Sequence, residues 1–218
     1  MSKKNEVIRN LFYKENIGRR ILAVMIAVIT MGFTLSLLVK VNMGTDPCTS
    51  LNLGVAKLLG MSLGNWQVLF NVILLVFVIF YDYTKIGIGT LANMILVGYS
   101  LDFFSWVWSE ILPKDLFQSM STRIAVLIPA LLVFILAAAV YMAVDLGTAP
   151  YDALPFIIST LQHKISFRVV RICWDVTAAT IGYLLGSTLG VITVIMAFAL
   201  GPVITIVQKK ISVLIKVK

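Results

Sequence analysis

Cysteine, histidine and charge are what this 218-residue chain has least of. Cys48 and Cys173 are its only cysteines. Both sit in apolar surroundings, and nothing in their spacing suggests a disulfide framework or a CxxC metal site. His163 is the only histidine. It adjoins Lys164 in a segment that reads as a turn, which argues against a metal or catalytic role. There is no HExxH, no GxSxG and no Cys/His cluster, and no spacing brings a nucleophile and a base together, so no enzyme is expected. Gly87-Ile88-Gly89-Thr90 lacks the GxGxxG spacing, the preceding strand and the lysine of a nucleotide loop. No cofactor and no ATP-driven step are expected. Charged residues make up 13% of the chain, where a soluble domain carries about 25%. The net charge is +8, but the excess lies at the two ends and in short loops. No basic stripe is interleaved with exposed aromatics, which excludes nucleic acid as a partner.

What is present is apolar sequence. Hydrophobic residues are 60% of the chain and the mean hydropathy is +0.98. Residues 21–39, 124–144 and 188–207 are uncharged runs of 19, 21 and 20 residues. About 20 apolar residues, rising ~1.5 Å each, cross the roughly 30 Å hydrocarbon layer. Segments 63–81, 86–108 and 169–187 read the same way with polar interruptions. Lipid is therefore the expected solvent. Residues 1–20 carry Lys3, Lys4, Arg9, Lys14, Arg19 and Arg20. The apolar run behind them is too long for a signal peptide and no small-x-small cleavage site follows, so an uncleaved first helix with a cytoplasmic N-terminus is expected. Trp66, Trp106, Trp108, Tyr81 and Tyr83 fall near segment ends, as an aromatic belt requires.

The most informative feature is an internal repeat. Gly44-Thr45-Asp46-Pro47-Cys48-Thr49-Ser50-Leu51 matches Gly147-Thr148-Ala149-Pro150-Tyr151-Asp152-Ala153-Leu154 at an offset of 103. Asn42 falls opposite Asp145. Gly87, Thr90 and Gly98 match Gly190, Thr193 and Gly201 at the same offset. Between these the offset slips to 104, setting Ser62 against Ser166, Phe70 against Trp174 and Asn71 against Asp175. The expected fold is an all-α, polytopic transmembrane helix bundle of two tandem repeats, each with three long helices plus one short helix opened by Gly-Thr-x-Pro. The segmentation follows: 1–20 a basic cytoplasmic segment, 21–108 the first membrane repeat, 109–123 a connecting loop, 124–207 the second repeat, and 208–218 a basic cytoplasmic tail. At each break Thr45 or Thr148 is expected to cap the next helix, and proline suits its first turn.

The short helices, 47–60 and 150–162, decide the topology. If they do not cross, the chain has six long crossings plus two re-entrant pieces and the halves are inverted. If they cross, there are eight and the halves are parallel. Six crossings leave 14 basic residues inside and four outside (Lys40, Lys57, Lys114, Arg123); eight leave about 16 inside. A re-entrant second short helix would carry His163-Lys164 toward the bilayer centre, where charge is expensive. Eight segments that cross are favoured on that ground.

Ionisable and amide side chains inside apolar helices are the candidate site. Asp175 and its repeat partner Asn71 sit near mid-depth. Arg171, four residues before Asp175, shares its helix face and is expected to pair with it. Asn93 and Asp102 are nine apart and point to opposite faces, so they cannot share a cavity. At the breaks, Thr45, Thr148 and Asp152 lie where free N–H groups and a helix dipole gather. Such ends bind carboxylate or phosphate groups; Asp46 and Asp152 already bring negative charge there, which weakens a purely anionic reading and offers partners for a proton or cation. The candidate substrate-binding set is Thr45, Asn71, Thr148, Asp152, Arg171 and Asp175. Gly182, Gly186 and Gly190 recur at four-residue spacing and predict a small-residue packing stripe.

The repeated Gly-Thr-x-Pro segment, with Gly87/Thr90/Gly98 and Gly190/Thr193/Gly201-Pro202, resembles the YczE/YitT-type bacterial integral membrane proteins. The resemblance covers nearly the whole chain after about residue 20. It implies a bacterial plasma-membrane location and carries over no catalytic residue and no substrate. Duplicated halves commonly build transporters, with the site where the halves meet. The leading expectation is thus a small secondary transporter or permease for a small solute or ion. The competing one is a non-transporting scaffold or regulatory subunit for another membrane protein.

Overall fold

The computed structural model describes residues 16–113 and 115–215, the side chains of 212–215 excepted. Lys3, Lys4, Arg9, Lys14, Lys114, Lys216 and Lys218, which the sequence reading counted among the flanking charges, lie outside the described residues. Eight α-helices follow one another, with one 3-10 turn (Tyr83–Lys85) and no strand among the described residues. They are α1 (Ile17–Val41), α2 (Pro47–Leu59), α3 (Leu63–Asp82), α4 (Ile88–Ile111), α5 (Met120–Val144), α6 (Pro150–Gln162), α7 (Phe167–Leu184) and α8 (Val191–Ile215). The polytopic all-helical bundle expected from the apolar runs is present.

Five helices (α1, α3, α4, α5 and α8) are long and apolar enough to cross a membrane. The sixth expected span, α7, has 18 residues and carries Arg168, Arg171 and Asp175, charges its neighbours must accommodate. Large apolar side chains face outward around the bundle: Phe80 is 80% exposed and Leu184 74%. In water such a surface would drive association; facing lipid it has no such cost. The interior is centred on α1, where Val24, Val28, Leu38 and Val41 are fully buried against α4 and α5.

The breaks follow from local chemistry. α1 and α5 each end on a left-handed residue, Asn42 (φ 55°) and Asp145 (φ 56°). Gly44 (φ 99°) and Gly147 (φ 106°) then turn the chain, a conformation L-residues rarely take. Pro47 and Pro150 open the short helices, since a first-turn residue needs no N–H. The cap of α2 differs from expectation: proline at the first helical position sets the N-cap at residue 46, and the Asp46 carboxylate accepts the Thr49 N–H at 3.0 Å. The matching position in α6 is Ala149, which makes no side-chain cap. Thr45 and Thr148 lie one residue too early to cap. The small-residue stripe is also not one helix face. α7 ends at Leu184, so only Gly182 is helical, Gly186 is a left-handed turn residue (φ 88°), and Gly190 precedes α8.

Side-chain contacts fix the direction of each helix. Arg20, near the start of α1, donates to the Val144 carbonyl at the end of α5 at 2.7 Å, so α1 and α5 are antiparallel. The Gly89 N–H donates to the Leu146 carbonyl at 2.7 Å. The starts of α1 and α4 therefore share one end of the bundle, here the basal end. Trp108, near the end of α4, donates to Ser36 in α1 at 2.8 Å, placing the finish of both helices at the distal end. α8 begins distally, where Ile192 N–H donates to the Met43 carbonyl at 3.3 Å. It runs basally to Gln208, whose side chain donates to the Met142 carbonyl at 3.2 Å.

The segments are eight, as expected, but the path differs from the eight-crossing expectation. α2 stays at the distal end: its Ser50 hydroxyl is 3.2 Å from that of Ser187, and its Lys57 ammonium donates to the Gly186 carbonyl at 3.3 Å. α3 then starts in the distal half of α4, its Gly64 N–H on the Asp102 carboxylate at 2.7 Å. α6 stays at the basal end. Thr148 N–H donates to the Lys85 carbonyl at 2.9 Å, and the Lys85 ammonium lies 5.7 Å from the Phe156 ring. Both short helices leave the end by which they entered, and α5 runs opposite to α1. The electrostatic objection to a re-entrant α6 does not arise, because the chain enters as the extended Leu146–Ala149 break and leaves as a helix. His163 and Lys164 return to an exposed turn rather than to the centre.

Candidate functional site

The short helices pack crosswise. α2 lies against α7 and α6 against α3, each short helix on a long helix of the other half. These crossings demand glycine. A Cβ on Gly182 would come within 2.6 Å of the Ser50 carbonyl carbon, and one on Gly54 within 2.6 Å of the Gly182 carbonyl oxygen. Gly87 and Gly190 lie so close to the Leu146 and Met43 carbonyls that any side chain there would overlap them. Threonine completes each joint. The Thr193 hydroxyl accepts the Thr45 N–H at 3.1 Å, and the Thr90 hydroxyl donates to the Thr148 carbonyl at 3.0 Å.

Holding the short helices this way turns their first residues toward the middle of the bundle. There they line a cavity of about 370 Å³ with residues from both halves. Asp46, Cys48 and Thr49 come from the start of α2, and Tyr151 and Asp152 from the start of α6. Gln67 and Asn71 come from α3, Arg171 and Asp175 from α7, and Asn93 from α4. Tyr141, Thr205 and Gln208 add further polar groups, and the rest of the wall is apolar or aromatic, including Leu35, Val97, Phe134, Phe156 and Phe167.

Arg171 organises the charged side of the cavity. Its Nη1 donates to Asp152 at 2.6 Å and its Nε to Asp175 at 2.8 Å. The other carboxylate oxygen of Asp175 accepts the Tyr151 hydroxyl at 2.8 Å. The Tyr151 ring in turn lies 5.6 Å beneath the guanidinium, within cation–π range. A carboxylate 1% exposed is tolerable only when paired and hydrogen-bonded, and Asp175 meets both conditions. Asn71, 3% exposed, anchors itself by donating to the Gln67 carbonyl at 2.9 Å.

Four of the six residues proposed from sequence (Asn71, Asp152, Arg171 and Asp175) meet at this cavity, and Arg171 bridges two of them. Thr45 and Thr148 do not line it. They hold the breaks against Thr193 and Thr90. Asn93 and Asp102 separate as their spacing requires: Asn93 faces the cavity, while Asp102 holds the start of α3. Sequence reasoning missed Gln67, Tyr141, Tyr151 and Cys48 as cavity residues and left Asp46 outside the candidate set. Gln67 sits 104 residues before Arg171, the offset that pairs Asn71 with Asp175, so extending that register by four residues finds it.

The cavity is closed distally and reaches the basal end. On the distal side α3 and α4 touch, with a Cβ on Gly98 falling 2.9 Å from Gly64 Cα. The matching Gly201 on α8 has Arg171 Cγ, at 3.8 Å from such a Cβ, as its nearest neighbour. There a crevice of about 280 Å³ separates α7 from α8. It shares Phe167, Arg171, Gly201 and Thr205 with the central cavity. Among the described residues no group of three or more His, Cys, Asp or Glu is arranged to hold a metal.

The model of a family of unknown function, DUF6198, matches residues 18–209. An uncharacterized protein of Haemophilus influenzae is 27% identical over 169 residues, covering 77% of this chain and 73% of its own. Bacillus subtilis has two relatives, each 24% identical. The uncharacterized protein YyaS is matched over 64% of this chain and 68% of its own, and the uncharacterized membrane protein YczE over 79% and 78%. The YczE-type resemblance read from the motifs is thus met by sequence similarity along the chain. No solved structure matches.

Proposed function

The chain belongs to the DUF6198 family, and we propose that this membrane protein is a small secondary transporter built from two inverted repeats. One observation carries the reading: a cavity at the centre of the bundle, lined by matched positions of both halves, holding buried charge that neither a lipid-facing surface nor a packed core needs. Asp46/Ala149, Cys48/Tyr151, Thr49/Asp152, Gln67/Arg171 and Asn71/Asp175 are five such matched pairs on its wall. Two further features support it. The helices broken by Gly-Thr-x-Pro point their N-terminal ends at the site, as in transporters whose halves are inverted copies. The halves also differ where an alternating-access protein must differ. The α3–α4 contact is shut while its counterpart, α7–α8, is open, so the cavity faces the basal end. Exchanging those two states between halves would face it distally. The basal end is the cytoplasmic one in this reading, because seven of the ten described Lys and Arg residues other than Arg171 fall toward it, against Lys40, Lys57 and Arg123 at the distal end.

Native Cys48 supplies the test, since it lines the cavity and the only other thiol is Cys173. In a Cys173→Ser protein reconstituted into vesicles, a membrane-impermeant thiol reagent should reach Cys48 from either side of the bilayer. A thiol that reacts from one side alone under all solute conditions, or from neither, rejects alternating access and leaves the scaffold reading.

A further inference from the structure

Asp46 is the one cavity carboxylate that Arg171 does not hold. It is 7% exposed, and its Oδ1 accepts the Thr49 N–H. Its Oδ2 is buried with no hydrogen-bond partner among the described residues. The Tyr141 hydroxyl, on the same cavity wall and 2% exposed, is likewise without one. Buried polar atoms are almost always satisfied, and two exceptions on one cavity wall call for water, an ion or another ligand between them and the cavity. Asp152 and Asp175 have their partners already, in Arg171 and Tyr151.

Counted across the wall, three carboxylates face one guanidinium. Arg171 can balance only one of them, so in these surroundings the others call for a proton or a bound cation. The surroundings also bear on the kind of cation. Asp46 offers one free carboxylate oxygen, and among the described residues no group of three or more His, Cys, Asp or Glu is placed to hold a metal ion beside it. The apolar part of the wall, with Leu35, Val97 and Phe134 among its residues, suits the carbon body of an ammonium ion.

We propose that this cavity binds a small monovalent organic cation, an ammonium group on an apolar body, with Asp46 as its counter-charge and the Tyr141 hydroxyl as a second polar group on the same wall. The inference rests on the transporter reading for its purpose, but not for its chemistry. Asymmetry is built into it. The matching residue Ala149 has no charge, so the cation docks on the α2 side of the pseudo-symmetric site and faces the Arg171 cluster across it.

The test uses the full chain in lipid nanodiscs and calorimetric titration with two probes of one skeleton, benzyltrimethylammonium and benzoate. The cation should bind and benzoate should not. Asp46→Asn keeps the helix cap, because asparagine caps as well as aspartate, and removes only the charge. It should weaken the cation at least about tenfold. Benzoate binding in preference, undiminished cation binding by Asp46→Asn, or binding of neither probe each overturns the proposal. Because wild-type selectivity alone can do so, the test stands even if the variant folds poorly. Flux of the same probes in vesicles separates this inference from the transport reading. An anion carried across sinks the cation site and keeps transport; a cation bound and never carried does the reverse.

Discussion

Gly98 and Gly201 occupy matched positions 103 residues apart, yet one is packed against a neighbouring backbone and the other borders open space. A methyl on Gly98 would fall 2.9 Å from Gly64 Cα and 3.2 Å from Gln67 Cβ. Backbone cannot retreat as a flexible side chain can, so Gly98→Ala forces α3 from α4, and overpacking of this kind costs about 1–3 kcal/mol. A methyl on Gly201 meets Arg171 Cγ at 3.8 Å, an ordinary contact. There the helix-propensity gain from glycine to alanine, up to about 1 kcal/mol, is unopposed. Thermal unfolding of the purified variants should therefore differ: the midpoint falls for Gly98→Ala and does not fall for Gly201→Ala.

The Arg171 cluster makes a second prediction. Its side chain is 15% exposed and that of Asp175 1%. Removing one partner of a buried pair leaves an uncompensated charge, at a cost of about 3–5 kcal/mol. Arg171→Met strands both Asp152 and Asp175, so it should be the most destabilising substitution in the cavity. Adding Asp175→Asn removes the more deeply buried of the stranded charges. The double variant should accordingly be more stable than Arg171→Met alone, a non-additivity that denaturation in detergent can measure as a coupling energy. Simple addition of the two losses would mean that the pair is not coupled.

How far the sequence could be read depended on whether a feature was local. The apolar runs and the Gly-Thr-x-Pro breaks are local, and they located all eight helices. Asp175, Asn71 and Arg171 stood out because hydrocarbon makes any such residue expensive, and four-residue spacing placed Arg171 beside Asp175 without tertiary information. Asp46 was obscured because its direction depends on α2 turning its first residues inward, which the packing of Gly54 and Gly182 decides. The topology was misjudged through His163-Lys164. The sequence does not say whether a short segment enters the membrane as helix or as extended chain, and that order decides whether its last residues end at the centre or the surface.

The corrected path has its own consequence. With six traverses, the turn after α4 lies at the opposite end of the bundle from the turn after α6. Single cysteines at Ser109 and His163, in a protein lacking Cys48 and Cys173, should then be labelled from opposite sides of the membrane by an impermeant maleimide. On the orientation argued from basic residues, position 109 reacts from outside the cell. Labelling of both from one side would restore the eight-crossing path and make the halves parallel.

The shut distal side depends on a single charge-assisted bond as well as on Gly98. Asp102 accepts the Gly64 N–H at 2.7 Å, and one turn back Tyr99 donates to the Asn65 side chain at 2.8 Å. Both bonds tie the first turn of α3 to α4, over the distal mouth of the cavity. A hydrogen bond to a charged group contributes about 1.5–3 kcal/mol, more than enough to hold a two-state contact on one side. Asp102→Ala removes that bond without touching the cavity wall, since Asp102 does not line it. If the protein alternates, the loss should raise the population open to the distal side. Cys48 in the Cys173→Ser background should then be modified several-fold faster from the distal face, and no faster from the basal one. Equal acceleration from both faces would mean that the bundle had merely loosened, and no acceleration would mean that this bond is not part of the gate.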